Sequence, residues 1–102
     1  MTRVTSIVLS LAGAALLSAT PVLAQATAQS VIGSLNAQCT PIIYEQDCYA
    51  EIRKATAAAL TMGEDDQKTI GAELVKVVEG NPGNATRIRE LITESGLAVE
   101  NL

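Results

Sequence analysis

The two cysteines, Cys39 and Cys48, stand nine residues apart in the stretch CTPIIYEQDC, and no other part of the chain offers chemistry so definite. In a chain that begins with an export leader, two cysteines with none left over imply one structural disulfide. A redox-active pair usually takes the form C-x-x-C beside a βαβ unit, which this spacing and its surroundings do not match. A cysteine nucleophile needs a base such as histidine, and the chain has no His. Zinc is poorly served for the same reason, with two thiols and only scattered carboxylates.

The acids offer less. Glu64, Asp65 and Asp66 are consecutive, whereas a calcium loop alternates its oxygen ligands around a central Gly and closes on a Glu. At the start of a helix they serve the helix dipole, and one of the two Asp residues can cap it. Glu45, Asp47, Glu51, Glu90 and Glu94 would need a cleft to work as paired acid and base, which a domain of this size rarely has. Arg87 is spaced to form surface ion pairs with Glu90 or Glu94. No residue is assigned to catalysis, to a metal or to a cofactor, and the chain is not expected to be an enzyme. Tyr44 and Tyr49 are the only aromatic residues, and both border the cysteine segment. Their rings either cover the disulfide or, being apolar with a polar tip, contact a partner. Asn84-Ala85-Thr86 matches the N-x-S/T acceptor pattern and is read here as a helix cap.

The N-terminus carries one charge, Arg3, before an apolar run from Val4 to Leu17, and then the small-residue site Val22-Leu23-Ala24. A basic start, an apolar middle and small residues before the cut are the order of a secretory signal. Residues 1–24 are expected to be a cleaved signal peptide, with a cut after Ala26 as the alternative, and residues 25–102 the working domain. As a membrane anchor the run is short: about 21–24 Å as a helix against a hydrocarbon core of ~30 Å. No basic cluster follows it to set an anchored topology. The mature form is thus expected to be periplasmic or secreted, with no membrane span.

About 78 residues then remain, enough for one small domain whose core alone supplies only about 3–5 kcal/mol, so a covalent staple or a partner subunit is expected. The chain has no Trp, Phe or His, so the core must be built from Ala, Val, Ile and Leu. The formal charge of −4 becomes −5 once Arg3 is removed. That balance disfavours nucleic acid, whose binding depends on Lys and Arg neutralising phosphates, and anionic membrane surfaces equally.

The elements that position the cysteines read as short helices. Ala28, Val31, Ile32 and Leu35 recur at one-face spacing over 26–36. Thr40-Pro41 looks like a helix start, with Asp47 as a second candidate cap. From Asp47 to Met62, Cys48, Ile52, Ala55, Ala59 and Met62 form a seam that Tyr49, Thr56 and Leu60 widen. Gly63 suits a left-handed helix end. Ile70, Leu74, Val77 and Val78 form the buried face of the next helix, in which Gly71 is either a liability or a site of close packing. Gly80-Asn81-Pro82-Gly83 stops it. Asn84 caps a last helix, Ala85 to Ser95, with Ile88, Leu91 and Ile92 inward and Gly96 left-handed after it. Residues 98–102 either dock or fray.

On one continuous helix, nine residues separate two Cα atoms by about 13.5 Å, while a disulfide needs them within roughly 7 Å. The chain must therefore bend between Cys39 and Cys48, and Pro41 is where the bend should begin. The expected fold is all-α: a small bundle of about four short helices stapled by one disulfide. The expected role is non-catalytic protein–protein interaction, with an unknown partner or by self-association. The alternative is an envelope stress or acid-responsive chaperone-like protein, triggered by neutralising carboxylates that cap helices.

Overall fold

A computed structural model describes residues 26–102 of the chain; the expected signal peptide, 1–24, lies outside the described residues. Four helices account for most of the rest: α1 Ala28–Cys39, α2 Glu45–Leu60, α3 Glu64–Gly80 and α4 Ala85–Ser95, with one 3-10 turn, Pro82–Asn84, between the last two. There is no strand among the described residues. The expected all-α bundle with one disulfide is what forms.

Helix α1 starts on a reciprocal cap: the Thr27 hydroxyl accepts from the Ser30 backbone N–H at 3.1 Å and Ser30 Oγ accepts from the Thr27 N–H at 3.0 Å. The spacing is that of a capping box with Ser in place of the usual Glu or Gln. The helix runs three residues past the expected end, to Cys39, and is closed by the Thr40 N–H on the Asn36 carbonyl. Thr40 thus ends a helix where a helix start was expected, and the Thr40–Pro41 peptide is cis. A helix begun at Thr40 would have carried Cys48 away from Cys39. The chain instead folds back first and begins α2 at Glu45, with Tyr44 in the N-cap position and Asp47 inside the first turn.

Helix α2, like α3, touches each of the other three. Its seam faces the core: Cys48, Ile52, Ala55 and Ala59 are buried, and Tyr49 and Thr56 are buried beside them. Alanine at two of these positions lets neighbouring helices approach closely, which suits a core with no large aromatic ring but Tyr49. Leu60 departs from expectation at 47% exposed. It shares a stripe with Tyr49 and Thr56 but is the last residue of α2, where that stripe runs off the end of the helix. Gly63 also departs. Its backbone is extended, not left-handed, and it is the N-cap of α3. α2 closes one residue after Leu60, where the Thr61 hydroxyl donates to the Ala58 carbonyl at 2.7 Å. With α3 starting at Glu64, the link is too short for a separate left-handed ending.

Glu64, Asp65 and Asp66 all lie in the first turn of α3, and no side chain there makes a capping hydrogen bond. Their support for the helix is by charge alone. Ile70, Leu74, Val77 and Val78 are buried as expected. α4 has the expected bounds and ends at left-handed Gly96 (φ 85°), with Leu97 returned to the core. On its outer face Arg87 meets Glu90 at 3.0 Å and Glu94 at 3.8 Å. The tail docks: Val99 lies over Gly71, and Arg89 Nε donates to the Leu102 carbonyl at 3.0 Å.

Candidate functional site: the disulfide corner

Cys39, the last residue of α1, and Cys48, one turn into α2, are joined by a disulfide with the Cα atoms 5.0 Å apart. Both residues are completely buried. The link between them is the turn Thr40–Tyr44. Ile42 folds back to form an isolated bridge with Cys39 and is half-buried. The next two residues point the other way: Ile43 is 73% exposed and Tyr44 70% exposed.

Two asparagines from the α3–α4 connection hold this corner from the far side. Asn81 Nδ2 donates to the Cys39 carbonyl at 2.9 Å and to the Val77 carbonyl at 2.8 Å. Carbonyls in the last turn of a helix have no partner within it, so one amide group serves the ends of α1 and α3 together. Asn84 Nδ2 donates to Glu45 Oε2 at 2.7 Å and to the Tyr49 hydroxyl at 2.9 Å. An amide nitrogen carries two hydrogens, so both are used in each case. Asn84 was expected to cap α4; its side chain makes no capping bond there and ties the start of α4 to the start of α2 instead.

The two tyrosines bordering the cysteines are separated by the structure. Tyr49, five residues into α2, turns its ring into the core at 7% exposure, and its hydroxyl oxygen accepts from the Asn84 amide. Tyr44 stays outside. Ile43 was not singled out from sequence; a run Ile42-Ile43-Tyr44 gives no sign of which member faces in. The surroundings are acidic: from residue 26 to Ile52 there is no Lys or Arg, while Glu45 and Asp47 are exposed. Chemically the corner is a scaffold. It holds a cystine with no solvent contact, neutral amides and exposed apolar side chains.

Elsewhere, among the described residues, no group of three or more Cys, Asp or Glu is placed to hold a metal ion, and no helix is long and apolar enough to cross a membrane. A second surface feature is a half-open groove of about 620 Å³ between α3 and the tail, floored by Gly71, Ala72, Val75 and Val99. No protein-family model matches the chain, and comparison with curated proteins and with solved structures finds no match either.

Proposed function

We propose that this chain is a small exported, non-catalytic helical protein that acts by contacting another protein through the turn carrying Ile43 and Tyr44. The observation that carries this reading is the exposure of two adjacent large apolar side chains on a turn tied down at both ends. One exposed apolar residue is ordinary. Two neighbours held up from the surface by a disulfide are a prepared contact, because the ordering that binding usually requires has been done in folding. Tyrosine is also among the residues that most often dominate interface energetics. Export is supported by the leader pattern of residues 1–24 and by the cystine, which persists in oxidising compartments.

The test is site-specific photo-cross-linking in the native compartment. A photoreactive residue at position 43 is expected to give an adduct that the same residue at exposed Glu79, on α3, does not. Equal labelling at the two positions, or none at position 43, would count against the reading.

A further inference from the structure

We propose that the partner of the Ile43–Tyr44 turn is a protein segment that sets Lys or Arg side chains beside an apolar one. This rests on the reading of Ile43 and Tyr44 as contact residues and adds the chemistry of what they meet. The four side chains concerned leave the chain close together. Ile43 and Tyr44 are 73% and 70% exposed. Tyr44 is the N-cap of α2, Glu45 and Asp47 lie in the first turn of that helix, and both acids are exposed. Apolar anchors beside a charged rim are the layout of a protein contact, and the sign of the rim selects the partner.

Nothing else at the corner offsets that sign. Among the described residues, neither carboxylate lies within salt-bridge distance of a Lys or Arg. Glu45 accepts a hydrogen bond from the neutral Asn84 amide, which leaves its charge in place. No Lys or Arg occurs from 26 to 52 or from 77 to 86, the stretches that build the corner and brace it. The cations flanking those stretches are paired elsewhere or set back. Lys54 meets Glu51 at 3.5 Å, Lys76 meets Glu73 at 3.9 Å and Arg87 meets Glu90 at 3.0 Å. Arg53 stands about 9 Å along the helix beyond Asp47. Helix dipoles do not neutralise the site either: α1 and α3 end at this corner and α2 and α4 begin there, so negative ends offset positive ones. Two formal negative charges remain, on a chain whose net charge is already −4. An acidic partner is repelled, while a basic one is steered in and fixed in register, and its apolar side chain covers Ile43 and Tyr44. A bare metal ion does not fit, since no group of three or more Cys, Asp or Glu among the described residues is placed to hold one and it offers the apolar pair nothing.

Peptides of equal length, titrated into the isotope-labelled mature chain and followed by its amide NMR shifts, test this. One alternates Lys and Leu, one has Glu in place of each Lys, and one has Ser in place of each Leu. The Lys–Leu peptide should shift the amides of residues 42–48, and the other two should bind about tenfold more weakly or worse. E45Q/D47N keeps an acceptor for Asn84 and removes both charges; it should weaken the Lys–Leu peptide about three- to tenfold, with circular dichroism checking that helicity is kept. Salt at about 0.5 M should weaken it similarly. Glu64, Asp65 and Asp66 on α3 are the internal comparison, being acidic without an Ile-Tyr pair beside them. Shifts centred on 64–66, or a Lys–Ser peptide that binds as well as Lys–Leu, mean charge attraction alone and overturn the proposal. A Glu–Leu peptide that binds 42–48 equally well also overturns it, but leaves the turn a contact for apolar partners of either charge. No shift at 42–48 with any peptide overturns it too, and if the photoreactive residue at position 43 then gives no adduct, the contact reading falls with it.

Discussion

At the scale of single residues, the two asparagines decide how the corner is held. Asn84 is the sharper case, because a cap and a long-range donor predict opposite results for one substitution. Asp caps a helix about as well as Asn, so N84D would be nearly neutral if capping α4 were the role. Here the amide donates to Glu45 and to the Tyr49 hydroxyl. N84D removes a donor and sets a carboxylate against Glu45, so it should destabilise more than N84A, which itself should lose about 1 kcal/mol. Urea midpoints of the three proteins give the order directly. N81A should lose at least as much as N84A, on the order of 1–3 kcal/mol, since two helix-end carbonyls lose their donor at once. None of this was legible in the sequence. Asn84 precedes a helical pattern, as a cap should, and its partners lie 35 and 39 residues away, where no local pattern reaches.

At the scale of elements, most of the fold could be read, and for a physical reason. Buried positions recur at helical period in every segment, and the stop signals after them are strong: Gly96 takes the left-handed conformation that ends α4, and Asn81-Pro82-Gly83 breaks α3. The errors fall at junctions, where a neighbour or a covalent link overrides local preference. Thr40-Pro41 has the composition of a helix start, yet the disulfide requires a reversal there. Gly63 has the composition of a helix end, yet the next helix begins before one can form. The glycines separate the two situations experimentally. At Gly71 an added Cβ would meet Val99 at 3.6 Å, ordinary contact distance, on a residue in mid-helix. G71A should therefore stabilise the fold by about 0.5–1 kcal/mol through helix propensity, which makes Gly71 a liability and not a requirement of close packing. G96A has open space around it, but φ is +85°, so it should destabilise by about 1 kcal/mol through backbone strain alone. Opposite shifts in thermal midpoint are the expected result, and equal signs would reject the account.

At the scale of the whole molecule, the question is why so small a core needs a bond to hold it. The described core is aliphatic apart from Tyr49 and the cystine, and a domain of this length gains only about 3–5 kcal/mol from such packing. Closing a ring of this size removes unfolded-state entropy worth about 2.7 kcal/mol. The C39A/C48A variant should accordingly lose about 2–3 kcal/mol, which leaves a population partly unfolded at physiological temperature. The burial of both sulfurs adds a kinetic consequence. With neither cysteine exposed, a thiol cannot reach the bond until the corner opens, and Asn81 and Asn84 brace that corner from the α3–α4 side. Reduction by dithiothreitol should therefore be slow in the native state and should accelerate with urea in step with opening. N81A should be reduced faster than wild type by about the factor its lost stability predicts, roughly tenfold for each 1.4 kcal/mol if reduction proceeds through global unfolding. A rate insensitive to urea and to N81A would mean that the bond is open to solvent thiols in the folded protein. The turn bearing Ile43 and Tyr44 would then be held by a link its surroundings can cut, and contact through it would depend on the redox state of the compartment.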